Sequence, residues 1–301
     1  MKSLRKWQLA FASFVLLFVA GAQAQEDRPQ MIPAPDRGAD EGGGPYGRLI
    51  IRGATLIDGT GAPPIGPVDI VIEDNRIVSV ESVGYPGLEI DESDRPTDAT
   101  REIDAHGQYV MPGIIDMHTH TGGRTKAPES EYSYKLWMGH GITAVRGVPS
   151  GSLEFSINEK ERSAKNEIVA PRIFSYHTLG SGAEYEDKQV LTPEDAREWV
   201  RYLAEAGADG LKLGSHRPAI MEALLDEGKK HGLGSTAHLG QMGVAQMNAQ
   251  DAARLGLGTL THYYGLFEAM YENNDVQPWP VDMNYNNEQH RFGQVARQWN
   301  M

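Results

Sequence analysis

The sequence predicts an α/β protein, in which a small N-terminal β domain precedes a (β/α)8 TIM-like barrel that is incomplete at its C-terminus. Residues 48–110 contain short apolar or alternating runs, which are typical of strands. After Val110, strand-like runs alternate with helical patterns, which predicts βαβ units and a parallel sheet. Polar residues then recur about every 29 residues, close to the length of one βα unit of a barrel.

Residues 1–24 have the features of a secretory signal peptide. Lys2, Arg5 and Lys6 precede an apolar run, and residues 22–24 form a small-x-small cleavage site. An uncleaved anchor is the alternative, but the apolar run is shorter than the about 20 residues that a membrane-spanning helix needs. We therefore expect a periplasmic or secreted protein without a membrane anchor after cleavage. Residues 25–47 are rich in Pro, Gly and acidic residues, which predicts a flexible leader.

Composition excludes several classes of function. The 301 residues include no cysteine, which excludes a disulfide scaffold, a thiolate metal site and a cysteine nucleophile. The formal net charge of −13 argues against nucleic acid as the main partner, because phosphate binding needs clustered Lys and Arg. We expect a small-molecule substrate, and the sequence is compatible with a homo-oligomer.

Within the β domain (48–110), the runs at 49–57, 68–72 and 76–80 predict strands separated by turn sequences. Residues 84–101 are polar with two prolines and predict an irregular connection. In the barrel (111–301), strand-like runs occur at 114–115, 142–148, 171–176, 210–213, 235–239 and 259–263.

One helix start in the barrel is well marked. Thr192 suits the N-cap position and Pro193 the first helical position. Four residues then form one apolar face at helical spacing: Ala196, Trp199, Val200 and Leu203. Further helices are predicted around residues 221–225 and over 244–255.

Candidate site residues stand at the ends of successive predicted strands, which in a βα barrel form the face where active sites are built. They are His118, His120, Arg146, His177, Lys212, His238 and His262. His118 and His120 are the most specific pair, because residues i and i+2 of a strand point to one face. Two neutral imidazoles suit a divalent ion such as zinc, whereas exposed loop histidines are the alternative. We expect His238 and His262 to bind metal too, although a single strand-end histidine is more often structural.

Lys212 lies in an apolar strand, where a buried ammonium is costly unless it is paired or modified. Its functional interpretation is a metal-bridging ligand formed when carbon dioxide carboxylates the amine. The alternative is a lysine whose amine reaches solvent at the strand end.

The remaining candidates concern substrate. Arg146 could bind a substrate carboxylate or form a salt bridge inside the barrel. His177 could hydrogen-bond to substrate or cap a strand. Tyr263 and Tyr264 could line the pocket or stabilise an oxyanion, with core packing as the alternative for one of them.

Several of these segments together resemble the amidohydrolase superfamily. They are the turn at 58–61, the run at 112–120 that ends in His118-Thr119-His120, and the run at 207–212 followed by His238 and His262. The last of these is similar to the binuclear branch with a carboxylated lysine, which includes prolidase-like and imidazolonepropionase-like enzymes. The resemblance implies that the small domain is of β-sandwich type.

The resemblance also implies a binuclear site. His118 and His120 would bind one ion, His238 and His262 the second, and Lys212 would bridge the two. The implied cofactor is two zinc ions, with manganese, iron or cobalt as alternatives, and Lys212 and His262 are the implied catalytic residues. The implied reaction is hydrolysis of a carbon–nitrogen bond by a metal-activated water.

The family also has an aspartate at the end of strand eight, for which Asp275 and Asp282 come too early. At about 29 residues per unit, strand eight is expected near residue 320, so we predict an N-terminal portion with barrel strands one to about six or seven. Two functions are therefore predicted. One is an exported metal-dependent hydrolase of amide, dipeptide or cyclic amide bonds. The alternative is a truncated, non-catalytic protein that binds metal or small molecules.

Overall fold

The computed structural model describes residues 31–90, 92–93, 95–120, 128–148, 151–240, 243, 246–266, 268–270, 280–284 and 287–296. The predicted signal peptide (1–24) lies outside these ranges. Within them, no helix is long and apolar enough to cross a membrane. The chain divides into two compact units, Arg37–Ile114 and Met1–Asp36 with Ile115–Met301.

The first unit is built on one five-stranded sheet. Its strands are β1 (Arg48–Leu56), β2 (Ile65–Glu73), β3 (Arg76–Ser82), β4 (Arg101–Asp104) and β5 (Tyr109–Val110). The order is β3-β2-β1-β4, with β5 also paired to β1. Neighbours β1, β2 and β3 are antiparallel, whereas β4 and β5 run parallel to β1. Residues 37–114, as far as the structure describes them, contain no second sheet, so the sandwich remains a prediction.

Ion pairs hold the irregular connection of this unit in place. Asp69 is fully buried, and its carboxylate accepts hydrogen bonds from Arg52 at 2.9 Å and Arg95 at 2.8 Å and 2.9 Å. A buried carboxylate is costly unless it is paired in this way. Arg95 belongs to the predicted irregular connection, which Asp69 thus anchors to the sheet.

The second unit is a curled parallel sheet with helices, a half-barrel. Its strands are β6 (Ile114–His120), β7 (Ile142–Val148), β8 (Arg172–Thr178), β9 (Gly210–Leu213), β10 (Gly234–Ala237) and β11 (Thr259–Leu260). Its helices are α1 (Ser130–Gly139), α2 (Leu153–Ala164), α3 (Pro193–Glu205), α4 (Pro218–Lys230), α5 (Ala249–Arg254) and α6 (Glu288–Ala296), with 3₁₀ turns at Ala183–Tyr185 and Glu268–Met270. The strand order β11-β10-β9-β8-β7-β6 follows the chain, as successive βα units require.

Helix α3 confirms the local prediction. The Thr192 side chain accepts a hydrogen bond from Asp195 N, the Asp195 side chain accepts one from Thr192 N, and Pro193 opens the helix. The four residues of its predicted apolar face are 0 % exposed. They pack in the main hydrophobic cluster with residues of β9, α4 and β10.

Two predicted elements are shorter than expected. Residues 244–245 of the helix expected over 244–255 lie outside the described ranges, and among the described residues this helix spans Ala249–Arg254, because Asn248 forms an N-cap and capping box with Asp251. The strand expected over 259–263 ends at Leu260, and His262 has a φ of 59°, which strand backbone does not adopt.

The structure differs from the predicted flexible leader (25–47) at residues 31–36, which are held by hydrogen bonds to the half-barrel. Ile32 N donates to Pro128 O, and Ile32 O accepts from both the amide and the hydroxyl of Ser130. Ala34 N donates to the buried Glu159 carboxylate at 3.1 Å, and Ala34 is only 3 % exposed. These residues are therefore bound to the first two helices of the half-barrel.

Candidate functional site

The register of the half-barrel determines which strand residues share a face. Tyr176 and Thr178 pair with Gly210 and Lys212, and Lys212 in turn pairs with Thr236. Because paired residues of parallel strands point the same way and side chains alternate, these positions share one face. Arg146 pairs with Phe174 and belongs to this face as well. Its side chain reaches Thr259 on β11, so this is the concave face of the curled sheet.

Four of the predicted histidines come together at the C-terminal ends of the strands. The ring centroids of His118 and His120 are 5.0 Å apart, and those of His238 and His262 are 4.8 Å apart. His118 joins the two pairs, since its ring centroid is 5.2 Å from that of His262. Residues from the first and last strands of the sheet thus meet in one cluster.

The spacing of these rings fits metal ligands in pairs. Two imidazoles that share a tetrahedral zinc ion have ring centroids about 5 Å apart. His118 Nε2 is buried and, within the described residues, has no hydrogen-bond partner. A buried imidazole nitrogen is rarely left without a partner, so this atom suits a ligand position. Within the same residues, no three His, Asp or Glu side chains converge tightly enough to hold an ion by themselves.

The environment keeps His118 and His120 neutral, which metal binding requires. Burial, with added repulsion from Lys212 and the neighbouring histidines, lowers the pKa of His118 to about 4. The pKa of His120 is lowered by burial, by Lys212 and by His262.

Lys212 lies inside the concave face and is 7 % exposed. Its Nζ donates to Thr261 Oγ1 at 2.7 Å, and the described part of the chain offers it no ion pair with a carboxylate. Burial, followed by repulsion from Arg146, lowers the Lys212 pKa to about 8. About a tenth of this amine is therefore neutral at pH 7, and the neutral form is the one that reacts with carbon dioxide.

Arg146 is already engaged by the protein. Its Nε donates to Met117 O at 2.9 Å, its Nη2 donates to Thr259 Oγ1 at 3.0 Å, and its guanidinium carbon lies 5.1 Å from the centroid of the Tyr176 ring. These contacts replace the predicted intrabarrel salt bridge and leave the predicted carboxylate contact without support.

His177 does not join the cluster. It pairs with Leu211, on the face opposite Lys212, and it is 3 % exposed. Ser175 Oγ and His177 Nε2 are hydrogen-bonded at 2.7 Å on that face. His177 therefore faces the helices, because neighbouring residues along a strand point to opposite faces, and this position gives its predicted substrate contact no support.

The two tyrosines after His262 have different environments. Tyr264 is 2 % exposed, and its ring centroid is 4.6 Å from that of His238, so it packs against the histidine cluster. Tyr263 is 59 % exposed and meets Phe292 edge to face. Only Tyr263 is accessible to a substrate.

Sequence reasoning missed two residues that shape the site. Thr261 receives the Lys212 hydrogen bond, and its position next to His262 was the available signal. Tyr176 fills the floor of the concave face, where a Cβ at Gly210 or Gly234 would overlap its ring. Two glycines at paired positions of adjacent strands are the sequence signal for such a close approach.

Curated proteins are similar to this chain in sequence. The chain is 26% identical over 167 residues to a dihydroorotase of Thermus aquaticus, covering 53% of this chain and 33% of that protein. It is 28% identical over 169 residues to a D-hydantoinase of Streptomyces coelicolor, covering 53% and 34%. No protein-family model matches the chain. The names of these relatives, with an allantoinase of Bacillus velezensis among the further matches, indicate the amidohydrolase superfamily.

Solved structures share the fold of this chain. A Xaa-Pro dipeptidase with bound methionine aligns with a TM-score of 0.57 and 21% identity over 74% of this chain and 64% of that chain. A putative prolidase from Bifidobacterium longum aligns with a TM-score of 0.54 and 22% identity over 72% and 54%. The chain spans about a third of the length of the first curated relatives that it matches.

Proposed function

We propose that this protein is an exported, metal-dependent hydrolase of the amidohydrolase type, which acts on carbon–nitrogen bonds in amides, dipeptides or cyclic amides. The observation that carries the proposal is the meeting of four histidines and a buried lysine at the strand ends of a half-barrel. The curated relatives support the bond type, since they include a dihydroorotase, a D-hydantoinase and an allantoinase.

The residues present suit two divalent ions, zinc first, with manganese, iron or cobalt as alternatives. His118 and His120 would hold one ion, and His238 and His262 the other. Lys212 would bridge them after carboxylation, which converts a buried cation into an anion with two ligand oxygens. Bound divalent ions supply a water acidified towards neutral pH and a Lewis acid for the scissile carbonyl.

The protein's own side chains would prepare this chemistry. Lys212 and His262 fill the proposed catalytic positions, and Thr261 holds the lysine nitrogen in place. Tyr264 packs against the His238 ring and restricts its rotation, while the exposed Tyr263 can contact the substrate oxygen. Residues 1–24 support the proposed export, because they carry the three parts of a signal peptide.

Metal analysis and an activity screen test the hydrolase. The purified 301-residue chain would be loaded with zinc or manganese and assayed on dipeptides, N-acyl amino acids, lactones and cyclic ureides. We expect metal uptake and hydrolysis of amide-type substrates, both lost in the double variant His118→Ala/His120→Ala. His140→Ala is the matched control, because His140 is exposed and lies outside the cluster. A protein that takes up no divalent ion would contradict the proposal.

A second candidate is a non-catalytic protein that binds metal or small molecules. It is favoured by the lack, within the described residues, of a carboxylate that completes the histidine cluster. Metal uptake without hydrolysis of any substrate would support it. Hydrolysis that is abolished by His238→Ala would exclude it.

Export has its own test. Expression in a bacterial host followed by cell fractionation and mass spectrometry of the intact protein would locate the N-terminus. We expect a periplasmic protein that begins at Gln25. A protein that keeps residues 1–24 and stays in the cytoplasm would contradict this part of the proposal.

A further inference from the structure

Arg146 connects strands that are distant in the sheet. Strands β7 and β11 are separated by three others in the order β11-β10-β9-β8-β7-β6. In a flat sheet, four steps of about 4.8 Å would place them about 19 Å apart, beyond the reach of any side chain. The 3.0 Å hydrogen bond from Arg146 Nη2 to Thr259 Oγ1 thus crosses the inside of the curl.

The same guanidinium also binds the other edge strand. Its Nε donates to Met117 O at 2.9 Å, and Met117 directly precedes His118. Thr259 lies three residues before His262. One side chain therefore contacts the backbone next to one histidine and the strand that leads to the other.

The contact between these histidines depends on the curl. His118 is on β6 and His262 follows β11, which are five steps apart, about 24 Å in a flat sheet. Their ring centroids are nevertheless 5.2 Å apart. Any group that fixes the distance between β6 and β11 also fixes the distance between the two proposed ion positions.

The guanidinium is held in the orientation that this role needs. It lies over the Tyr176 ring, 5.1 Å from its centroid, and that ring occupies the space left by Gly210 and Gly234. Thr259 Oγ1 is itself held, because it donates to Ser235 O at 3.3 Å on the neighbouring strand. A planar fork with fixed donors can satisfy two acceptors in different directions, which a lysine cannot do.

We propose that Arg146 is a positioning residue that links β6 to β11 across the inside of the half-barrel and so fixes the distance between the two histidine pairs. Its effect on metal binding rests on the proposed function, whereas its effect on the histidine geometry does not. The role in binding a substrate carboxylate stays a prediction, whereas the positioning role rests on the contacts of Arg146 within the half-barrel.

The geometry is tested without metal. In the histidine-labelled, metal-free 301-residue protein, we expect a nuclear Overhauser effect between the ring protons of His118 and His262. Arg146→Gln and Arg146→Lys should both lose this signal, since the charge of a lysine does not replace the two hydrogen bonds that the planar guanidinium donates in different directions. Arg254→Gln is the matched control, because Arg254 is an exposed arginine of α5. An unchanged signal in Arg146→Gln would overturn the proposal.

Cobalt binding gives the second readout. Titration with Co²⁺ should show affinity reduced at least tenfold in Arg146→Gln and about threefold in Thr259→Val, with Thr259→Ser close to the unaltered protein. Thr259→Val should cause no further loss of affinity in the Arg146→Gln background, because both changes remove the same hydrogen bond between Arg146 and Thr259. If Arg146→Gln does not fold, the variants Thr259→Val and Thr259→Ser still test the proposal. Equal Co²⁺ affinities in these two variants would overturn it. An unaltered protein that takes up no cobalt would instead show that the proposed function fails, while the Overhauser signal still reports on Arg146.

Discussion

Lys212 Nζ donates a hydrogen bond to Thr261 Oγ1 at 2.7 Å, and the Thr261 hydroxyl in turn donates to Ala237 O at 3.1 Å. The threonine proton is thus directed at a backbone carbonyl, which leaves its oxygen as the acceptor for the lysine. A carboxylated lysine keeps one N–H, and this geometry would point that N–H at Thr261 and both carbamate oxygens away from it.

Thr261→Val should lower the occupancy of the Lys212 carbamate about tenfold, as is typical for loss of a group that orients a metal ligand. Ala237 O stays satisfied in this variant, because the Thr261 amide also donates to it at 2.9 Å. The measurement is the ¹³C carbamate resonance of protein equilibrated with labelled bicarbonate. Thr261→Ser should retain the signal and Lys212→Ala should lack it. A Thr261→Val protein with full carbamate signal would contradict this role.

Acid should destabilise the protein through His177. Burial lowers its folded-state pKa to about 4, although Glu154 and Asp209 act in the opposite direction. In the unfolded chain the pKa is near 6.5, so the unfolded state binds a proton first as the pH falls. The free energy of unfolding therefore falls from about pH 6.5 down to about pH 4, with a loss from this residue of about 2 kcal/mol between pH 7.5 and pH 5.

Urea unfolding of the unaltered protein and of His177→Gln at these two pH values measures the effect. The variant should lose less stability on acidification, while the contributions of His118 and His120 remain in both proteins. His231→Gln is a suitable control, because this histidine lies on the surface at the end of α4. An equal loss in His177→Gln and the unaltered protein would show that His177 is not kept neutral by the fold.

Zinc should stabilise the folded protein if the histidine cluster binds it. A ligand that binds only the folded state adds about 2.7 kcal/mol to the free energy of unfolding at one hundred times its Kd. We expect added zinc to raise Tm in the unaltered protein and in His140→Ala, and a chelator to reverse the effect. The His118→Ala/His120→Ala variant should show a much smaller rise. The same rise in all three proteins would place the zinc elsewhere.

Leu203→Ala should be strongly destabilising. Leu203 is 0 % exposed in the main hydrophobic cluster, and truncation of such a leucine costs about 2–5 kcal/mol. Leu191→Ala is the matched control, since Leu191 is 56 % exposed and should change the free energy of unfolding by less than about 0.5 kcal/mol. Urea unfolding followed by tryptophan fluorescence compares the two. Similar costs for both substitutions would contradict the assignment of the core.

Local signals in the sequence predicted much of the fold. The start of α3 followed from Thr192 and Pro193, and its buried face followed from helical spacing, because both depend on residues within one or two turns. The short α5 was not predicted, because the capping box of Asn248 with Asp251 interrupts an apolar pattern that continues through it. The docked segment 31–36 was missed because its partners, Ser130 and Glu159, are about a hundred residues away.

The site shows the same division between local and long-range information. The four histidines could be found because each lies at or just after the end of a recognisable strand; they are His118, His120, His238 and His262. His177 was expected either to contact substrate or to cap a strand, and its position on the face opposite Lys212 was not foreseen, because the sequence did not show which strand residues face the helices. Arg146 was found, but its partners were not, since the backbone oxygen of Met117 and the hydroxyl of Thr259 carry no distinctive pattern.

The hydrogen bond between Arg146 and Thr259 spans 113 residues of sequence. Contacts of such long range form late, because the entropy of closing a large loop is lost before the contact contributes anything. His118 and His120 are in place once the first strand has formed, but they meet His262 only when the sixth strand has joined the sheet. The capacity of the cluster to accept a ligand is therefore acquired in the final stage of folding, and a partly folded chain would carry its histidines apart.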